Sequence, residues 1–268
     1  MESDALTIEN LEKYFPPAQT GWKTLVQPFT RATVCALGGI SLAVGRGDVL
    51  ALIGANGAGK STLLRIIATL LAPTRGRAAV AGFDVEREPA CVRRELGFHT
   101  GGDTGFYARL SARENLQFFA ALNNLAGAPA ARRIREVADL LTLGEMMDRQ
   151  VRTFSTGMVH RLGLARALLH APTLLLLDEP TRSLDPLAAA EFRRFLKNEV
   201  VLQRGTALVF ASHTLAEVEE LANRVALLDG GRLLACDTVP GVLASAGAAT
   251  LGEAVERLTL RAHQETRE

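Results

Sequence analysis

The sequence predicts an α/β fold built on a mainly parallel central sheet, and three observations carry that expectation. Short apolar runs alternate with longer stretches of helical periodicity along most of the 268 residues. Several of the runs are continuous rather than alternating, which suits strands buried on both faces. From about Ser111 to His170 the pattern is helical with no convincing strand, so a helical unit is expected between two strands of the core.

Leu6–Leu11, Ile40–Val44 and Val49–Ile53 read as strands, and Lys60–Leu71 as the helix after them. Leu96–Thr100 is the next strand. Within the helical unit, Arg113–Leu122, Ala130–Leu141 and Gly157–Leu169 carry apolar residues at three- and four-residue spacing. Leu174–Leu177, Ala207–Ala211 and Val225–Leu228 are continuous apolar runs bounded by turn or polar residues, and read as buried strands. Ala188–Leu202 and Leu215–Leu221 are helices between them. Leu251–Leu260 adds a last helical segment, with a charged end that frays. The expected organisation is one domain. Its core spans about 1–102 and 171–238, the helical unit about 103–170, and a helical tail 239–268.

Composition narrows the function classes. Apolar residues make up 48% and charged residues 22%, with 30 basic against 29 acidic residues and a formal charge of +1. These values exclude a disordered chain, collagen or a coiled-coil rod. They argue against nucleic-acid binding by bulk electrostatics, so no nucleic-acid partner is expected. The richest apolar stretch, Leu63 to Ala72, is interrupted by Arg65 and Thr69 and is too short to span a membrane. The opening Met1-Glu2-Ser3-Asp4 is acidic where a secretory signal is basic, so a cytoplasmic protein is expected. Cys35, Cys91 and Cys236 are far apart and odd in number. They are read as buried or half-buried thiols, not disulfide or metal ligands.

The strongest chemical signal is Gly54-Ala55-Asn56-Gly57-Ala58-Gly59-Lys60-Ser61-Thr62. It follows an apolar strand and opens a helix, the context a phosphate-binding loop requires. The glycines let successive N–H groups curl around a phosphate, and the helix start adds its partial positive charge. Lys60 is expected on the β- and γ-phosphates, and the Ser61 hydroxyl on Mg²⁺. A second site follows Leu174–Leu177, where Asp178 and Glu179 end an apolar strand. Ligands gather at such carboxyl ends. Asp178 is expected to hold Mg²⁺ through water, and Glu179 to polarise the water that attacks the γ-phosphate.

Between these two lies Phe154-Ser155-Thr156-Gly157-Met158, followed later by Ser183-Leu184-Asp185 and Ser212-His213. Phosphate loop, pentapeptide, Asp-Glu strand, acidic loop and histidine occur in the order seen in ABC-type ATPases. From about Leu6 to Gly230 the chain resembles the nucleotide-binding subunit of an ABC transporter. The resemblance implies a P-loop NTPase core, an N-terminal antiparallel β subdomain and an inserted helical subdomain. It implies ATP and Mg²⁺ as substrate and cofactor, and hydrolysis by Lys60, Glu179 and His213. Phe154–Met158 resembles the family's signature motif, with Thr156 in place of its first Gly and Met158 in place of its Gln. Ser155, Thr156, Gly157 and Met158 would then meet the γ-phosphate bound to a second subunit. Asp185 resembles the acid of the loop linking the two sites. His213 resembles the histidine that contacts the γ-phosphate and orders the attacking water. Phe15, or else Tyr14, resembles the aromatic that stacks on adenine. His99, His160, His170 and His263 are read as structural.

The implied protein works as a homodimer or beside a paired ATPase subunit, at the inner face of the membrane, with separate membrane subunits. Gly101–Arg109, the altered signature and Leu251–Thr259 resemble exporter ATPases. Two rivals stand beside this: a soluble ABC-type ATPase outside transport, and a catalytically impaired subunit. Two departures bear on them. The family's Gln after the Leu96–Thr100 strand is replaced by Gly101-Gly102-Asp103, which leaves either Asp103 or water to complete the metal's coordination. Pro16–Thr33 is an insertion without an acid, in which Trp22, Leu25, Val26 and Phe29 share one helical face. Its own domain, a membrane subunit or a lipid surface would cover that face.

Overall fold

The computed structural model describes residues 4–16, 33–101, 105–182 and 184–265. Two sheets organise them. One is antiparallel, in the order β2-β1-β4-β5, from β1 (Leu6–Phe15), β2 (Val34–Val44), β4 (Arg75–Val80) and β5 (Phe83–Asp84). The other has the order β10-β9-β3-β8-β7-β6. It comprises β3 (Val49–Ile53), β6 (Leu96–Thr100), β7 (Leu174–Asp178), β8 (Ala207–Ala211), β9 (Arg224–Asp229) and β10 (Arg232–Thr238). All its pairings are parallel except β9 with β10. The expected α/β class, the mainly parallel sheet and the N-terminal antiparallel sheet are all present.

The parallel strands are apolar on both faces because each face has its own core. Val49, Ala51, Ile53, Leu175, Leu177, Leu208 and Phe210 pack with the helical region. The alternate residues Leu50, Leu52, Leu174, Leu176, Val209 and Ala211 pack with the antiparallel sheet. This is the two-residue alternation of a strand serving two layers at once. The second layer also holds α1 (Lys60–Ile67), through Leu63, Leu64, Ile66 and Ile67.

Helices α3 (Ala112–Leu122), α4 (Gly127–Leu140) and α5 (Thr156–Leu168) form the helical insertion, within two residues of the expected starts except α4, which begins three earlier. Ser111 and Glu114 form a capping box at the start of α3,. The expected Ala188–Leu202 helix is two pieces: α6 (Pro186–Phe195), then a π-helical stretch over Leu196–Leu202. Helix α7 (Leu215–Leu221) matches its expected bounds. The elements beyond the expected ones are short or half-exposed, among them α2 (Pro89–Glu95), α8 (Val239–Ala246), β4, β5 and β10. The last helix, α9 (Leu251–Glu265), anchors to the helical-side core through Leu251 and Ala254.

Strands β1 and β2 run longer than their apolar runs because they pair with each other out to Phe15 and Val34. The insertion leaves from that paired end; Trp22, Leu25, Val26 and Phe29 lie outside the described residues. One expectation is corrected. Cys35 is exposed, because β2 is an edge strand and Cys35 is on its uncovered part; Cys91 and Cys236 are half-buried. Among the described residues no helix is long and apolar enough to cross a membrane.

The register puts the site in place. Leu52 and Asp178 both align with Ala211, and Thr100 aligns with Asp178. The carboxyl ends of β3, β8, β7 and β6 therefore form one edge, where a ligand of such a sheet binds.

Candidate active site

The loop after β3 needs glycine at its first position. Gly54 has φ +145°, and a Cβ there would run into the Leu228 carbonyl of the neighbouring strand,. The loop ends at Lys60, the first residue of α1 and only 7% exposed. Its Nζ donates to the carbonyls of Gly54 at 2.6 Å and Ala55 at 3.0 Å. Burial pulls the Lys60 pKa down, while the nearby Glu179 and Asp178 pull it up,. The amides of a helix's first turn have no intrahelical acceptor and carry its positive end. Lys60, Ser61 and Thr62 line the cleft there.

Asp178 ends β7 and accepts a hydrogen bond from the Ser61 hydroxyl at 3.2 Å. Glu179 follows with φ +53°, a left-handed conformation that costs a non-glycine residue about 1–2 kcal/mol,. Two backbone bonds hold it there: Glu179 N–H donates to Ala211 O at 3.0 Å, and Arg182 N–H to Glu179 O at 3.3 Å. Glu179 Oε2 lies 2.6 Å from His213 Nδ1, just beyond the end of β8. A carboxylate only accepts, so Nδ1 carries the hydrogen.

On the other side of β7, Gly101 N–H donates to Asp178 O at 3.1 Å. A Cβ on Gly101 would stand 2.5 Å from the Glu179 carbonyl. A side chain at this position would have to push the two strand ends apart. Gly102 and Asp103 lie outside the described residues. Thr100, with a hydroxyl, lines the cleft instead.

Two adjoining clefts, of about 530 and 470 Å³, meet over these strand ends. Both are lined by Asn56, Glu179 and Arg182. The first adds Gly57, Gly59, Lys60, Ser61, Thr62 and Asp178; the second adds Gly54, Ala55 and His213. Ala58 is buried, and its carbonyl accepts from Gly231 N–H. The remaining candidates stand elsewhere. Phe15 lies at the end of β1 opposite Val34, two residues from Ala36, which lines the first cleft. The Lys13 ammonium sits 5.2 Å from the centre of the Phe15 ring. Ser155 caps α5, and none of Ser155, Thr156, Gly157 and Met158 lines either cleft. Asp185 caps α6 through hydrogen bonds from Leu187 N–H at 3.1 Å and Ala188 N–H at 3.0 Å. Its neighbour Ser183 lies outside the described residues.

Sequence reasoning missed Arg182, Thr100 and Ala36, all of which line the first cleft. Arg182 was findable, three residues beyond Glu179. Ala36 and Thr100 enter only through sheet pairing. The four other histidines do stand apart. His99 and His160 are buried edge to face at 4.5 Å, and burial pulls His99 down to about 3. His170 bonds the Leu96 carbonyl and His263 pairs with Asp229.

No group of three or more His, Cys, Asp and Glu suited to a metal occurs among the described residues. The Ser61 hydroxyl and the Asp178 carboxylate are hard oxygen donors beside a phosphate-type loop. That sparse set fits Mg²⁺, which keeps waters and takes substrate oxygens.

A glycine-rich loop, a helix start and paired acids on a parallel sheet define a nucleotide-phosphate site. The ABC transporter family model matches residues 37–182. The chain is 37% identical over 204 residues to the ABC transporter ATP-binding protein NatA of Bacillus subtilis, covering 76% of this chain and 82% of that one. It is 41% identical over 211 residues to the daunorubicin resistance ATP-binding protein DrrA2 of Streptomyces coeruleorubidus. That match covers 77% of this chain and 63%, less than two thirds, of the relative. A dimeric post-hydrolysis ATP-binding cassette bound to ADP and Pi superposes with a TM-score of 0.72 at 23% identity. It covers 87% of this chain and 98% of that one, and shows the likeness of fold. The chain belongs to the ABC transporter family, among its ATP-binding subunits.

The packing around the loop yields a first test. Gly54→Ala is expected to lower unfolding free energy by about 1–3 kcal/mol, the usual cost of overpacking. Gly57→Ala meets no atom within 4 Å of its Cβ and carries only left-handed strain. Urea midpoints of the two variants should therefore differ, with Gly54→Ala the lower.

Proposed function

We propose that the chain hydrolyses ATP in this cleft as the motor subunit of an exporter, driving transport through separate membrane subunits. The observation that carries the reading is the Glu179–His213 pair, set at 2.6 Å on adjacent strand ends opposite Lys60. The loop amides and Lys60 bind the β- and γ-phosphates. Lys60 exchanges the Gly54 and Ala55 carbonyls for phosphate oxygens, a charge-assisted and stronger bond. Ser61 and Asp178 would hold Mg²⁺, which when bound would supply neutralisation of the phosphate charge. Glu179 orients the attacking water and receives its proton. The His213 Nδ1–H on Oε2 fixes the rotation of that carboxylate and leaves Oε1 toward the water. Phe15 supplies a flat apolar face for the base.

The site is completed by a second copy. The residues Ser155 to Met158 line neither cleft of their own chain, yet they open a helix with a capping hydroxyl, which favours an anion,. The dimeric cassette of the same fold supports this arrangement. Asp185 lies at the start of α6, on the loop leaving the Glu179 end, and is proposed to link the two sites. The relative named for daunorubicin resistance supports the export reading.

Glu179→Gln is expected to keep ATP affinity and lower phosphate release roughly 10²-fold or more, the usual contribution of a positioned base. Wild-type turnover in that variant would sink the assignment. A mixture of Lys60→Ala and Ser155→Arg chains contains dimers with one intact composite site. ATP should dimerise the mixture more than either variant alone, as read by light scattering. Full dimerisation of each variant by itself would refute the shared site.

A further inference from the structure

Glu217 lies on α7, four residues beyond His213, and is only 3% exposed. A carboxylate out of water is costly unless its oxygens accept hydrogen bonds. Both do. Oε1 accepts from the Thr181 hydroxyl at 2.9 Å, and Oε2 from the Ser212 hydroxyl at 2.6 Å. Ser212 Oγ in turn accepts from Thr214 N–H at 3.0 Å.

The two hydroxyls are not on one element. Thr181 is two residues past Glu179, in the turn that leaves β7. Ser212 immediately precedes His213, in the turn that leaves β8. One buried carboxylate therefore ties together the two turns that carry the Glu179–His213 pair. The connections close into a ring: Glu179 to Thr181 along the chain, across Glu217 to Ser212, on to His213, and back to Glu179 through the imidazole. Each hydroxyl has a single proton and spends it on Glu217, so the bridge is two charge-assisted bonds to the two oxygens of one carboxylate.

We propose that Glu217 is a positioning residue for hydrolysis, holding the two turns so that His213 Nδ1 stays on Glu179 Oε2. This rests on the ATPase reading above. Glu217→Gln changes shape little but removes the charge and turns one accepting oxygen into an NH₂ donor. One hydroxyl must then reverse its hydrogen bond and both bonds lose their charge assistance, which loosens the bridge. Misplacing a reacting group by about 1 Å can cost about 10²-fold.

The test uses Glu217→Gln, with Thr181→Val removing one hydroxyl and Thr181→Ser keeping it. Turnover should fall roughly 10- to 100-fold in Glu217→Gln and in Thr181→Val, with KM for ATP within about twofold. Thr181→Ser should restore turnover. In a Glu179→Gln background, Glu217→Gln should add no further loss, because the pair is already broken. The ¹⁵N imidazole resonances of His213 in the nucleotide-free chain supply a readout without turnover. They should move in Glu217→Gln toward those of Glu179→Gln. Unmoved His213 resonances overturn the proposal, as does an equal fold-loss of turnover in both backgrounds. If the wild-type chain releases no phosphate from ATP, the ATPase reading fails, and the His213 resonances still decide the role of Glu217. Should Glu217→Gln not fold, the Thr181 pair and the same resonances decide it.

Discussion

Everything at the site follows from one constraint: β3, β8 and β7 are buried on both faces. A strand covered on both sides has no place for a charge along its length, since each buried ion costs several kcal/mol. Charged and polar groups can enter only where the strand ends. Leu174–Leu177 is fully buried, and the first carboxylate comes at Asp178, the last residue of β7. The same holds for Ala207–Ala211, which is followed at once by Ser212 and His213. Register then brings those ends side by side, and Glu179 meets His213 without any long-range search by flexible side chains.

The second consequence is crowding. Strand ends packed this closely leave room for backbone but little for side chains. Gly54 and Gly101 sit against the carbonyls of Leu228 and Glu179. Crowding also explains why Glu179 tolerates a left-handed backbone: its N–H and C=O are both engaged, so the strain is held by the surrounding bonds rather than relieved,. Gly101 stands where a side chain would not fit without moving those strand ends. Thr100, one residue earlier, still presents a hydroxyl to the cleft.

Much of this was legible in the sequence, for a physical reason. Two-sided burial produces continuous apolar runs, so Val49–Ile53, Leu174–Leu177 and Ala207–Ala211 stood out, and the chemistry follows them directly. What was not legible lacks such a signature. Strand β4 reads Arg75-Gly76-Arg77-Ala78-Ala79-Val80, and only Ala78 and Val80 are buried; it is a strand because β1 pairs with it. Strand β10 is nowhere buried, and α2 and α8, of seven and eight residues, are only about two turns each,. Cys35 was misread because an edge strand exposes residues that its composition would bury. Glu217 resembles any acid on an amphipathic helix until Thr181 and Ser212 are placed around it.

The residues that do not reach the cleft carry as much meaning as those that do. Ser155 and Asp185 each open a helix, and each accepts hydrogen bonds from that helix's first amides. Such capping fully accounts for a Ser or an Asp within one chain. It does not account for Gly157. That residue is the second of its helix and meets nothing within 4 Å at its Cβ position. Open space at its Cβ position leaves the bare backbone of this helix start reachable from outside the chain. An anion held by a second copy is the approach that the helix end and its hydroxyl favour. The proposed composite site would use that reachable backbone together with the Ser155 cap and the positive end of the helix.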